Sequence, residues 1–212
     1  MAPVILAFDT SAAHCAAALL IGDRIVASAF EPMEKGQAER LLPLLQEVLA
    51  EAGLGWRDLT ALAVGTGPGN FTGVRIAVAA ARGLALSLGI PAIGVTRLEA
   101  TAHGLPRPVV VVEDARRAEV YVQEFAPEPG AARVTELAAL PVETGAQDFV
   151  GTAASLAAEA TGGRALVQPL PLTHAMALIA AGRTGAQPRP APFYLRGADA
   201  APPSDPPPVI LP

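Results

Sequence analysis

The sequence has one cysteine, Cys15, and one lysine, Lys35, in 212 residues. A single cysteine closes no internal disulfide and builds no thiolate metal cluster, which fits a reducing compartment. Lys35 is followed by Gly36 and Gln37. That excludes a Gly-Lys-Ser/Thr phosphate loop, whose lysine must neutralise phosphate, and leaves one candidate for a Schiff base. The histidines, His14, His103 and His174, are scattered, whereas a zinc or iron site wants clustered ligands. Each reads as a solitary surface or core residue. A Ser-His-Asp triad has no Gly-x-Ser-x-Gly elbow to support it. No Lys or Arg precedes the short apolar run Val4 to Phe8, which Asp9 interrupts. No secretory leader is therefore expected, and no run reaches the roughly 20 apolar residues of a membrane span. A soluble, cytoplasmic chain is expected.

What is present can build a core. The chain is 51% hydrophobic and 21.5 kDa, the size of one large domain or two small ones. Fifteen basic residues face 20 acidic ones, for a net charge of -5. No basic stripe stands out, so phosphate-driven nucleic-acid binding by the chain alone is not expected.

The pattern along the chain divides into two halves. Val4 to Phe8, Cys15 to Ile21 and Arg24 to Phe30 read as three adjacent antiparallel strands, with Gly22-Asp23 as a hairpin turn. From Gln37 to Ala52 apolar residues recur at three- and four-residue spacing, a helix ended by Gly53, with Pro43 inside it as a kink or an early turn. Leu59 to Val64 is a further strand. It runs into Gly65-Thr-Gly-Pro-Gly-Asn-Phe-Thr-Gly73, and a helix over Phe71 to Leu88 follows, stopped by Gly89. That helix has a face of small residues, but alanine makes up about a fifth of the chain, so the stripe is discounted. Ile90 to Val95 reads as a strand and Arg97 to His103 as a short helix. Gly104 to Pro108 is the best linker.

After the linker the opening pattern returns: an apolar run ends in Asp114, and strands over Glu119 to Phe125 and Arg133 to Leu140 follow. Asp9 and Asp114 lie 105 residues apart, half the chain, which suggests internal duplication. The expected division is residues 1–104, residues 105–187 and a proline-rich tail over 188–212, with Phe193 to Arg196 docking on the body. Phe149 to Gly151, Ala153 to Ala160 and Thr173 to Ala181 are read as a strand end and two helices.

Gly65 to Gly73 is the most informative segment. Glycines let backbone approach closely, and a helix N-terminus attracts anions, so this turn is either an anion cradle or a tight packing turn. Asp9, Thr10 and Ser11 offer a carboxylate and two hydroxyls, able to hold a hydrated Mg²⁺ and phosphate or merely to make a turn. Asp114 to Arg117 could grip phosphate or a carboxylate bidentately, although a solvated hairpin turn is preferred.

Taken together, Ile5 to Ser11, Glu39 to Pro43, Gly67 to Arg75, Asp114 to Arg117 with Glu119 to Tyr121, and Tyr194 to Arg196 resemble the TsaB (YeaZ) family. They occur in that family's order and span nearly the whole chain, and Gly-Pro-Gly-x-Phe-Thr-Gly-x-Arg is the most specific of them. The resemblance implies an α/β, actin-like ATPase fold of two tandem ribonuclease-H-like halves with mixed sheets. It also implies an accessory, non-catalytic role in placing threonylcarbamoyl on the adenosine next to the tRNA anticodon. Partners would be the metal-dependent transferase TsaD and the ATPase TsaE, with a homodimer when alone and tRNA met only through the complex. TsaD-type proteins hold metal partly through a His-x-x-x-His pair. Here that region reads Glu34-Lys-Gly-Gln-Ala-Glu-Arg-Leu41, so no metal site is expected. Gln37 and Asn70 depart from the His and Ser often found in the family.

The resemblance further implies a partner face built from the helices over 37–52 and 71–88, with Leu41, Leu45, Val48, Val74, Ala77 and Ala81 supplying part of it. About half of this stripe should instead be core. A residual nucleotide cleft would comprise Asp9, Thr10, Ser11, Gly67, Gly69, Asn70, Thr72 and Asp114. No cofactor is expected to be required, with room for weak ATP or ADP binding. The competing reading is an ATP-dependent small-molecule kinase of the same fold. It lacks an obvious substrate-side base and a second glycine pair for adenine. A metallopeptidase fails on its isolated histidines.

Overall fold

A computed structural model of the chain describes residues 2–140 and 147–196, and the proline-rich stretch from 197 onward lies outside the described residues. Strands β1 (Val4–Asp9), β2 (His14–Ile21) and β3 (Arg24–Pro32) form the expected antiparallel meander. Helix α1 (Gln37–Glu51) carries Pro43 on its exposed side, where the carbonyl one turn back is open to water. Strand β4 (Ala61–Gly65) runs parallel to β1, helix α2 (Phe71–Leu88) follows, and β5 (Ala92–Val95) pairs with β4. The ends of α2 are set by its sequence. Asn70 caps the start by accepting from the Gly73 N–H at 3.0 Å, and Gly89 ends it in the left-handed region at φ 68.

Helix α3 (Arg97–Ala102) leads to β6 (Val109–Asp114), β7 (Glu119–Phe125) and β8 (Arg133–Glu136), a second meander. Strand β9 (Asp148–Val150), helix α4 (Ala154–Thr161), strand β10 (Arg164–Ala165) and helix α5 (Leu172–Gly182) complete the order. The first sheet runs β3-β2-β1-β4-β5 and the second β8-β7-β6-β9-β10. The two lists match element for element, antiparallel across the meander and parallel beyond it. The duplication suggested by the apolar runs is thus a duplication of topology.

Period-two alternation gives each sheet two apolar faces. On the first sheet Leu6, Phe8, Leu19, Leu62 and Val64 pack beneath α1 and α2. Ile5, Ala7, Ala63 and Val95 point the other way, against Ala175, Met176, Ala177 and Ala180 of α5. Residues 172–182 therefore do not belong with the second half, where residues 105–187 placed them. The first sheet has two apolar faces, and α1 and α2 cover only one. The second sheet packs one face on Ala153, Ala154 and Ala157, and the other on Leu98 and Ala102 of α3. Since Ala100 of the same short helix lies in the α5 cluster, α3 is a wedge shared by both halves.

The partner-face expectation is corrected here. Leu41, Leu45, Val48, Val74, Ala77 and Ala81 are all buried within the chain's own core, each at 1% exposure or less. The cause is geometric: α1 and α2 present these side chains to the strands beneath, and none is left to face outward. The outward apolar side chains on the two helices are Leu42, Phe71 and Leu86. By length and composition α2 is also long and apolar enough to cross a bilayer, contrary to expectation. Val74, Ala77, Val78 and Ala81 supply its buried face, Phe71 and Leu86 are apolar and exposed, and Arg75 and Arg82 sit on its exposed side.

Cys15 is buried in this core, and burial first, then the Glu31 charge, push its thiol up to about 11. A thiol reagent at neutral pH is expected to label Cys15 only as the chain unfolds; labelling faster than unfolding would contradict this placement. Leu45→Ala is expected to cost about 2–5 kcal/mol in denaturant titration. Leu86→Ser, at a side chain 84% exposed, should stay within about 0.5 kcal/mol of the parent.

Candidate functional site

The ends of β1 and β4 meet the start of α2, and seven of the eight cleft residues expected from the sequence come together there. Asp9 closes β1 with 1% exposure. Its Oδ1 accepts from the Ser11 N–H at 3.0 Å and the Ser11 Oγ–H at 2.9 Å, and lies 2.8 Å from His14 Nε2. Asp9 Oδ2 is buried with no hydrogen-bond partner. Burial works to raise this carboxyl's pKa. The His14 hydrogen bond and charge, the Arg97 charge and the Ser11 hydrogen bond outweigh it, and the pKa is lowered.

The glycine turn is a close-packing device against this corner. A Cβ on Gly65 would collide with Asp9 Oδ2, one on Gly69 with the Ser11 carbonyl oxygen, and one on Gly73 with the Thr10 carbonyl oxygen. The space these glycines leave is filled by hydrogen bonds. The Asn70 N–H donates to the Ser11 carbonyl at 2.6 Å, and Thr10 Oγ donates to the Gly73 carbonyl at 2.6 Å. The Gly67 carbonyl accepts from the Arg97 N–H at 2.7 Å. Thr72 lies exposed in the first turn of α2. The polar groups of Thr10, Ser11 and Asn70 are thus engaged within the chain, gripping the hairpin and the helix start together.

Asp114 does not join this group. It is exposed, accepts from the Arg116 N–H at 2.8 Å, and lies on the face of β6 opposite Glu113. Arg116, Arg117 and Ala118 continue from it in the left-handed region, at φ 64, 55 and 62, a conformation that L residues adopt at some cost.

Four residues that carry little signal in the sequence, Glu113, Gly151, His14 and Arg97, surround the site. Glu113, 4% exposed, follows Val109 and Val111 by alternation and so faces α3, as Asp9 follows Ile5 and Ala7 toward α5. Its Oε1 accepts from Thr101 Oγ at 2.9 Å and its Oε2 from Thr152 Oγ at 2.7 Å, with Arg97 Nε at 3.3 Å. By face, then, the duplicated acid of the second half is Glu113 rather than Asp114. Gly151 is a close-packing glycine of the second half: a Cβ there would crowd the Val112 carbonyl and lie 3.3 Å from Glu113 Cδ. His14 was read as solitary. A two-strand hairpin folds it back onto Asp9, a pairing that the five-residue separation between strands could have suggested. Arg97 carried no signal, being one arginine at a helix start. His103 and His174 lie apart from the site, each with its pKa lowered, chiefly by burial.

Beyond Gly185 the chain returns along the outside of this corner. Arg82 Nε donates to the Pro190 carbonyl at 2.7 Å, and the Phe193 N–H to the Thr66 carbonyl at 2.8 Å. Tyr194 stacks on Phe71 at 5.1 Å and accepts from Arg75 Nε at 2.8 Å. Arg196 donates to Glu119. The expected docking of Phe193 to Arg196 on the body is observed.

Acidification should destabilise the chain through Asp9. Its pKa is lower folded than unfolded, so its contribution is complete above about 4, the ordinary aspartate value, and is lost as pH falls through the folded value. Urea midpoints of the parent and of Asp9→Asn are expected to converge as pH is lowered from about 6 to about 2; parallel curves would mean that Asp9 is not held ionised. Gly73→Ala should cost about 1–3 kcal/mol or more, because the carbonyl it meets is backbone and cannot swing away.

Comparison with known proteins agrees with this geometry. The family model for TsaD, tRNA N6-adenosine threonylcarbamoyltransferase, matches residues 31–140. The tRNA threonylcarbamoyladenosine biosynthesis protein TsaB of Escherichia coli is 42% identical over 126 residues, which are 57% of this chain and 54% of that protein. The chain spans about half the length of the curated relatives it matches. Among solved structures, YeaZ from Pseudomonas aeruginosa superposes with a TM-score of 0.73 at 30% identity, covering 91% of this chain and 99% of that one. A component of (R)-2-hydroxyglutaryl-CoA dehydratase from Acidaminococcus fermentans shares the fold alone, with a TM-score of 0.55 at 12% identity over 85% of this chain and 100% of that one. The duplicated sheets are those of the actin-like ATPase fold, and the chain belongs to the TsaB (YeaZ) family within the wider TsaD group.

Proposed function

We propose that this chain is an accessory subunit in the synthesis of threonylcarbamoyladenosine on tRNA, contributing surface rather than chemistry, in a cytoplasmic setting. The pathway is the one named for its relatives. The observation that carries the non-catalytic reading is the state of the expected cleft. Thr10 Oγ, the Ser11 carbonyl and the Asn70 N–H are spent on joining the β1–β2 hairpin to α2, and Oδ1 of the central carboxylate is hydrogen-bonded to Ser11 and His14. Among the described residues no group of three or more His, Cys, Asp or Glu side chains is arranged to hold a metal ion. A Lewis acid for the transfer would come from a TsaD-like transferase, with a TsaE-like ATPase acting on the assembly. This chain needs no cofactor of its own, and any ATP or ADP it takes up binds weakly.

The partner face in this reading is the outer side of α1 and α2. With the earlier stripe assigned to the core, the apolar side chains that remain are Leu42, Phe71 and Leu86, at 48%, 43% and 84% exposure. They are set among small or polar exposed residues such as Ala79 and Gly83, which let a second helix approach closely. The same face would serve a homodimer in the absence of the transferase.

Incubating the purified chain with threonylcarbamoyl-AMP and tRNA is expected to give no modified base until transferase and ATPase are added. Modification by the lone chain would refute the accessory role. Leu86→Asp, which leaves the core untouched, should weaken co-elution with the transferase at least tenfold, and unchanged co-elution would move the partner face elsewhere.

A further inference from the structure

We infer that Arg97 is a breakable latch between the two halves, holding the junction beside Asp9 closed by gripping one half with its backbone and the other with its side chain. The backbone grip is the Arg97 N–H on the Gly67 carbonyl at 2.7 Å, in the first half's glycine turn. The side-chain grip is Nε on Glu113 Oε2 at 3.3 Å, at the end of the second half's β6. The positive charge of Arg97 also helps hold the buried Asp9 carboxylate ionised. One cation thus answers two buried acids, Asp9 and Glu113, that the duplicated fold brings to equivalent faces of its two sheets.

Three features make this contact a latch and not simply a piece of core. First, it is loose. A separation of 3.3 Å is longer than the 2.7–2.9 Å of a strong charge-assisted bond, and the Arg97 side chain keeps 19% of its surface exposed, so it has a way out to water. Second, its departure orphans little. Glu113 retains Thr101 on one oxygen and Thr152 on the other, and Asp9 retains His14 and Ser11. Third, the apolar joint beside it does not depend on it. Leu98 and Ala102 fill the second half's core and Ala100 the first's, so α3 stays a hinge pin while its cleft-side end is free to open. Two further polar ties near the junction are Thr101 on Glu113, from α3 to β6, and Arg196 on Glu119, which is partly exposed. Opening would part the β1–β2 and β6–β7 hairpins, the turns that follow Asp9 and Asp114.

The test places spin labels on the two hairpin tips, Ala13→Cys and Arg116→Cys. The native Cys15 is buried and does not compete for reagent. Full-length chain with Arg97 intact is expected to give one narrow distance distribution. Arg97→Met, which keeps the backbone grip and stem but removes the charge, should give a distribution at least twice as broad or with a second, longer distance. Glu113→Gln should do the same, and the double variant should go no further than either single one. Arg97→Lys should restore most of the narrow population. Distributions unchanged in Arg97→Met and in Glu113→Gln would overturn the latch, as would additive broadening in the double variant. If Arg97→Met fails to fold, hydrogen exchange on Glu113→Gln decides. Faster exchange confined to residues 65–73 and 113–118 supports the latch, and uniformly faster exchange across both sheets refutes it.

Discussion

The fold is organised around a carboxylate that water does not reach. Asp9 ends the central strand of the first sheet, and a buried unpaired charge there would cost several kcal/mol. Everything near it answers that demand. The hairpin turn brings Ser11 back onto Oδ1, the returning strand brings His14, and α3 brings the positive charge of Arg97. The glycines at 65, 69 and 73 are the steric counterpart, since each yields the space of one side chain to the corner that Asp9 occupies. A sequence with other residues at these points would need another way to bury or expose that charge, and would have a different junction between its halves.

The second half repeats the theme with altered parts. Glu113 replaces Asp9, Thr101 and Thr152 replace Ser11 and His14 as donors, and Gly151 packs close beside the Glu113 carboxyl. Arg97 lies between the two versions and belongs to neither sheet. One cation at the start of α3 thus serves both halves, as the buried Leu98, Ala100 and Ala102 of that helix serve both cores.

Much of this architecture is legible in the residues. The spacing of Ala38, Leu41, Leu45 and Val48 and the breakers Gly53 and Gly89 set α1 and α2 nearly to the residue, because cap chemistry and helical period are local. The meanders were equally readable from alternation and turn residues. What escaped was non-local. Whether Leu41 and Val74 face a sheet or a partner depends on what lies beneath the helix, and periodicity reports only that one side is apolar. The allegiance of α5 to the first sheet depends on which sheet face stays uncovered. Asp114 matches Asp9 in ending an apolar run, yet the side-chain face gives that place to Glu113. In sequence the glycine turn fits an anion cradle and a packing turn equally. Its close approaches to Thr10 and Ser11 display the packing role, a matter of tertiary distance that spacing alone does not contain.

The return of α5 to the first sheet carries a consequence for how the molecule is made. Among the described residues, the inner surface formed by Ile5, Ala7, Ala63 and Val95 finds most of its cover in residues 172–182, with Ala100 of α3 beside them. On a ribosome, the earliest strands must wait with one oily side bare while the whole second half is synthesised and threaded out behind them. That side of β1 and β4 is thus covered late, and its bare apolar face is aggregation-prone throughout that interval.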